Sequence, residues 1–360
     1  MFRPVILLAT ALSLPIAIAH AQPARLAASY EKSVKKINDA HVRKPGKNSE
    51  DDLEKKDAGT RKRALDALLR SKLSPPRIDA LVRCGEAALD LDLIADFKRI
   101  RKALLKGAPD QASKLGSAHS HKRFLLHGIG GLDEEYLAAF AEVFAAILEG
   151  YDEVFGFREW SKVPGKKLRV RIHLEEKITR PPHFAPQYPY HSEIDFPVID
   201  AKRLYSPTRT GKFLFYGLCH ELGHVIAMWG HRRLEEDHHA WAHYTGVVLV
   251  DHVTGKHAGK AWRKELRDQR WRSLDKERTK HAKTKASLDD RSGVMKLLIE
   301  LHDLVGPRAI GAAINWLDKK DRRLRINHVR YYTFKELRQS FEKTLKDRKR
   351  LAGVKKLLPG

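Results

Sequence analysis

The sequence predicts an α+β protein, mostly helical, with a small mixed or antiparallel sheet packed on one buried helix and helical regions on either side. Three observations carry this. Apolar residues recur at helical spacing through most of the 360 residues. The stretch Leu168-Arg169-Val170-Arg171-Ile172-His173-Leu174 alternates apolar and polar strictly, the mark of a half-buried strand. A third segment, around residues 213–229, is apolar on nearly every side, as a helix in the middle of a domain must be.

Taken in order, the chain opens with Arg3, an apolar run from Pro4 to Ile18, and Ala19-His20-Ala21 before Gln22. This pattern predicts a signal peptide over residues 1–21 and a secreted or periplasmic mature protein. The apolar run is shorter than the ~20 residues a membrane span needs, so no transmembrane segment is expected after cleavage. Residues 22–130 read as a helical N-terminal region, with amphipathic stretches at Arg61 to Leu73, Arg77 to Leu91 and Ile94 to Leu105. Polar breaks separate them at Lys44 to Glu50 and Gly107 to His121.

Residues 131–255 form the expected core. Leu132 to Phe157 is an amphipathic helix with Asp133, Glu134 and Glu135 at its start, where the helix dipole favours acids. The strand Leu168 to Leu174 follows, then a Pro-rich loop from Arg180 to Tyr190. A second alternating piece carries Ile194, Phe196 and Val198, and Pro197 assigns it to a sheet edge because proline cannot donate a ladder hydrogen bond. Residues 256–360 form a basic, helical C-terminal region, with helical periods at Val294 to Val305, Arg308 to Leu317 and Tyr332 to Leu351.

The formal net charge is +24, and residues 251–360 hold 30 Lys plus Arg against 14 Asp plus Glu. The runs Lys260 to Arg272, Lys319 to Arg325 and Lys343 to Arg350 are solvated helix faces or a surface for anionic polymer. Export favours anionic envelope material over nucleic acid as the counterpart, and no nucleic-acid motif with interleaved aromatics is present. Cys84 and Cys219 are the two cysteines; they can pair in an oxidising compartment, or Cys219 can remain a buried thiol beside His220.

The chemistry lies in His220-Glu221-Leu222-Gly223-His224. Two histidines four residues apart stand one above the other on a helix, so both imidazoles can reach one metal ion. Glu221 then sits beside that ion, where a carboxylate can act as general base on water. A catalytic zinc site takes three protein ligands. An H-E-x-x-H-x-x-G-x-x-H arrangement is excluded because positions 227 and 230 are Ala227 and Gly230.

The next helix, expected from Leu234 onward with its acids at the start, contains His239-Ala240-Trp241-Ala242-His243-Tyr244. Here the chain resembles the gluzincin, or thermolysin-like, zinc metallopeptidases, whose second helix often carries E-G-W-A-x-Y. The resemblance covers roughly residues 133–250, with His239 standing where that family has Glu. It implies a zincin-like catalytic domain with zinc held by His220, His224 and His239 and with Glu221 as general base. Glu235, Glu236 and Asp237 remain alternatives for the third ligand.

The resemblance also implies peptide-bond hydrolysis of peptide or protein substrates, with Ser192 to Ile199 as the edge that pairs with an extended substrate. His243, Tyr244, His328 and Tyr331 are eligible by residue type to stabilise an oxyanion. The rival expectation is a secreted basic binding protein for anionic polymer, with a structural or vestigial zinc site.

Overall fold

The computed structural model describes residues 22–37, 39, 50–70, 72–157, 167–174, 183–187, 191–198, 216–224, 238–256, 273–320, 333–358 and 360. The expected signal peptide, the acidic residues Glu235, Glu236 and Asp237, and the basic run Lys260 to Arg272 lie outside them. The chain divides into two compact units, Met1–Ser120 with Gly128–Asp133, and His121–His127 with Glu134–Gly360.

The first unit is a helical assembly of α1 (22–37), α2 (Glu50–Arg70), α3 (Pro75–Asp90), α4 (Ile94–Gly107) and α5 (Pro109–Leu115), followed by a short strand β1 (Ser117–Ser120). Its core is made by the apolar stripes that the periodicity marks, among them Leu65, Leu68, Leu81, Phe97, Ile100 and Leu104, all fully buried. Proline opens both α3 and α5, where its fixed φ suits a first turn and its missing N–H costs nothing. Between α3 and α4 the chain reverses through Asp92 at φ 56°, a left-handed conformation that a short polar side chain tolerates. Gly85 lets α5 close on α3: a Cβ there would lie 2.8 Å from a Leu115 methyl. The expected polar break from Gly107 to His121 therefore holds α5 and β1.

The second unit holds β2 (Phe124–Ile129) as far as His127, then α6 (Glu134–Val154), β3 (Leu168–Leu174), β4 (His183–Gln187) and β5 (His191–Val198). Among the described residues after position 272 stand α9 (Leu274–Lys280), α10 (Arg291–Val305), α11 (Pro307–Lys320), α12 (Phe334–Thr344) and α13 (Arg348–Leu357). The sheet is small and mixed, and this unit is mostly helical. β5 runs parallel to β3, with Val170 opposite Ile194, and antiparallel to β4, with His183 opposite Asp195. β2 flanks the other side of β3, so the order across this unit is β2-β3-β5-β4.

This order corrects two expectations. β5 is an inner strand, so the segment from Ser192 onward is not the open edge; among the described residues the outermost strand on that side is β4, inside the Pro-rich stretch read as a loop. Pro197 fits because β4 pairs only with residues 191–195, and position 197 lies past that ladder. Pro186 is tolerated on β4 for the reason proline is tolerated on any outer strand.

α6 is the spine of this unit. Phe140, Val143, Phe144, Ile147, Leu148 and Tyr151 are buried along one face, each such side chain worth about 1.5–3 kcal/mol on leaving water. Arg123 closes a two-pronged ion pair on Asp152, with N···O distances of 2.7 and 3.1 Å. Gly150 admits another helix closely, since a Cβ would lie 2.9 Å from a Leu249 methyl.

The stretch from Tyr332 to Leu351, read as one helix, is two. α12 starts at a Thr333–Glu336 capping box and stops at Leu345; Asp347 then caps α13. Among the described residues no helix is long and apolar enough to cross a membrane.

Candidate metal centre

The H-E-x-x-H motif lies on α7 (216–224), and α8 (His238–Lys256) carries the second histidine run. Along α7 every described residue is buried except His220, which is half-buried. Two glycines allow the helices to touch backbone to backbone. A Cβ on Gly223 would lie 2.7 Å from the Cα of Ala242 and closer still to the Thr245 hydroxyl. A Cβ on Gly246 would lie 3.3 Å from the Cα of His220 and 3.2 Å from the Tyr216 ring. A side chain at Gly223 would force this crossing to shift, and one at Gly246 would crowd it.

The crossing brings three imidazoles together. His220, His224 and His239 each offer a ring nitrogen, and the three nitrogens lie within 4.8 Å of one another. The Nε2 atoms of His220 and His224 are 3.1 Å apart. Two ligands 2.0–2.1 Å from one tetrahedral ion stand about 3.4 Å apart, so this spacing suits a shared zinc. His224 and His239 meet edge to face, with ring centroids 4.7 Å apart, while the rings of His220 and His239 are near parallel at 6.1 Å. Three neutral nitrogen donors are a donor set zinc accepts, and they leave a fourth position for water or substrate.

No protein-family model, curated protein or solved structure matches this chain.

The candidate site thus stands on its own geometry. Glu221 is 8% exposed and follows His220 on α7, about 100° further round the helix. His224 is buried and His239 exposed, so the cluster opens on the His239 side. The alternatives Glu235, Glu236 and Asp237, and the eligible His328 and Tyr331, lie outside the described residues. Tyr244 is fully buried, with its hydroxyl 2.9 Å from Nδ1 of His302, so it faces the core rather than a substrate. Both cysteines are free and buried. Burial pushes the Cys219 thiol well above its ordinary range and the Cys84 thiol up to about 12.

Behind the imidazoles runs a polar chain that the sequence did not single out. The Tyr216 hydroxyl lies 3.2 Å from Nδ1 of His220 and makes a short hydrogen bond with Nδ1 of His243. His243, four residues after His239 and on the same face of α8, places its Nε2 3.3 Å from Oε1 of Glu277 on α9. The other carboxylate oxygen lies 3.3 Å from Nε2 of His281 and 3.5 Å from the Lys280 ammonium. Burial works to raise the Glu277 pKa, but the His243 hydrogen bond and the surrounding positive charge outweigh it and bring the carboxyl down to about 2. α9 is fixed to α8 by the Leu274 N–H, which donates to Asp251 at 2.8 Å.

The remaining ties fix α7 from the other side. The buried Tyr151 hydroxyl of α6 donates to the Cys219 carbonyl at 2.6 Å, one residue before His220. Tyr151 also joins Phe155, Phe157, Trp241 and Tyr244 in an aromatic cluster with centroid spacings of 5.5–6.5 Å. In this way α6, α7 and α8 pack into one frame around the histidines.

Proposed function

We propose that this chain is a zinc-dependent hydrolase acting on peptide bonds, with His220, His224 and His239 as metal ligands and Glu221 as general base. The observation that carries the reading is the convergence of three imidazole nitrogens within 4.8 Å, two from one buried helix and one from the helix crossing it. Zinc, when bound, polarises a carbonyl and brings the pKa of water down to about 7.

The protein's own groups then divide the work. His220 and His224 present their rings from a helix that Gly223 and Gly246 allow to pack closely against α8. His239 completes the set from the exposed side, where substrate can approach. Glu221, largely withdrawn from solvent, takes a proton from attacking water at its carboxylate and returns it to the leaving amine.

Export, read from the first 21 residues, supplies the setting, and the exposed basic stretch Lys346 to Arg350 at the junction of α12 and α13 suits anionic envelope material around a substrate. The zinc-hydrolase reading is tested by metal analysis of the full chain and of His239→Ala, with turnover on a peptide library by the full chain and by Glu221→Gln. One zinc per chain, lost in His239→Ala, with hydrolysis that disappears in Glu221→Gln while zinc stays, is the expected result. An active Glu221→Gln protein that retains zinc overturns the mechanism. Zinc without hydrolysis of any peptide returns the reading to a basic binding protein.

A further inference from the structure

We infer that Glu277 is the remote anchor of the metal site, fixing the ligand form of His220 through His243 and Tyr216. The inference rests on the metal-site reading above and goes beyond it, because it assigns positioning roles to three residues outside the motif.

The argument is one of proton counting. A histidine that binds metal through Nε2 must carry its single ring proton on Nδ1, and a partner there fixes that form. In His220, Nε2 is the nitrogen facing His224 and Nδ1 is the one facing Tyr216. If His220 donates from Nδ1, the Tyr216 oxygen accepts, and the one hydroxyl proton points to Nδ1 of His243. His243 then carries its own proton on Nε2, directed at Oε1 of Glu277. Each group uses the proton it has, and the chain ends on an acceptor.

The opposite polarity fails at both ends. It needs one more proton than the chain holds with a neutral His243, either on Glu277, where the neighbouring His281 and Lys280 favour the anion, or on His243 as a doubly protonated ring. It also leaves His220 protonated on Nε2, which removes the lone pair a metal needs. A carboxylate on a separate helix thus selects the tautomer of a ligand two side chains away. The geometry is rigid: Tyr216 and His220 share one face of α7, His239 and His243 share one face of α8, and α9 is pinned to α8 at its first turn.

The experiment uses the full chain carrying Tyr216→Phe, Glu277→Gln, or both, titrated with zinc against a competing chelator and with cobalt for its visible absorption. Each single variant is expected to bind zinc about 10–100-fold more weakly, the usual cost of losing a partner behind a metal ligand, with a changed cobalt spectrum. The double variant should match the weaker single variant, because a chain cut once has nothing left to transmit. Tyr244→Phe, which removes the same kind of bond to His302 on the same helix, should bind zinc as the unsubstituted chain does.

Ring-nitrogen NMR of the unsubstituted chain decides the polarity even where a variant fails to fold; the proton should sit on Nε2 of His243. A proton on Nδ1 of His243, unchanged zinc affinity in the single variants, or losses that simply add would overturn the anchor role. If the unsubstituted chain binds no zinc, the metal reading falls and this inference falls with it. Zinc binding that ignores both substitutions removes the anchor role alone.

Discussion

Gly223 and Ala242 touch through their backbones: a methyl group on Gly223 would come within 2.7 Å of the Ala242 Cα. This contact sets the distance between the helix that carries two of the histidines and the helix that carries the third. Gly223→Ala forces the helices apart or bends them, at about 1–3 kcal/mol of overpacking against a helix-propensity gain of about 1 kcal/mol. Zinc affinity should fall with it. Gly246→Ala meets its neighbours at 3.2–3.3 Å and should cost less on both counts, so thermal melts and zinc titrations should rank the two variants in that order.

His239 projects from the first turn of α8 and is exposed, so a carboxylate can take its place without disturbing a packed core. His239→Glu should hold zinc within about tenfold of the unsubstituted chain, since zinc accepts two histidines and a carboxylate as readily as three histidines. His239→Ala should lose most of its zinc. A His239→Ala protein that keeps its zinc would mean that the third donor lies elsewhere.

Glu277 shapes the acid limb of stability. Its folded pKa, about 2, lies below the ordinary 4.5, so the stability it contributes is fully present above about pH 4.5 and is lost as pH falls towards 2. The depression amounts to about 3 kcal/mol. Glu277→Gln should therefore flatten the fall in urea midpoint between pH 5 and pH 2.5. His281, held below the ordinary histidine range mainly by burial, contributes a loss in the same direction that begins higher, near pH 6.5. Glu153, exposed and paired with Lys256 and His252, should give a much weaker effect when changed to Gln.

The Tyr151 hydroxyl is buried and donates to the carbonyl just before His220. Tyr151→Phe leaves that carbonyl without this donor inside the core, at about 1–3 kcal/mol. Chemical denaturation should report the loss, and hydrogen exchange should rise at the amides of α7 in preference to those of α12, which is capped independently.

These residues also show what a sequence can and cannot disclose. β3 is legible because Leu168, Val170 and Ile172 face the core while the residues between them are polar. β2 is not: Phe124 to Gly128 are buried without alternation, so the pattern carries no period of two. β4 is hidden by Pro186 and by the fact that its pairing is decided by β5, a tertiary matter. His220 and His224 are legible from local spacing alone, and His239 from a run that resembles a known one. Tyr216 and Glu277 are not, because nothing in a tyrosine one turn before the motif, or in a glutamate far down the chain, signals the contact they share through His243. The two glycines offered a weak signal, Gly223 inside the motif and Gly246 in an apolar helix, where a small residue has no propensity reason to stand.

Cys219, fully buried one residue before His220 and reluctant to ionise, has a practical consequence. Iodoacetamide, mild peroxide and disulfides are all attacked by thiolates that solvent can reach, and this sulfur offers neither charge nor access. Cys219 should thus stay unmodified while the chain is folded, and a sample that alkylates readily at this position has already lost its native packing.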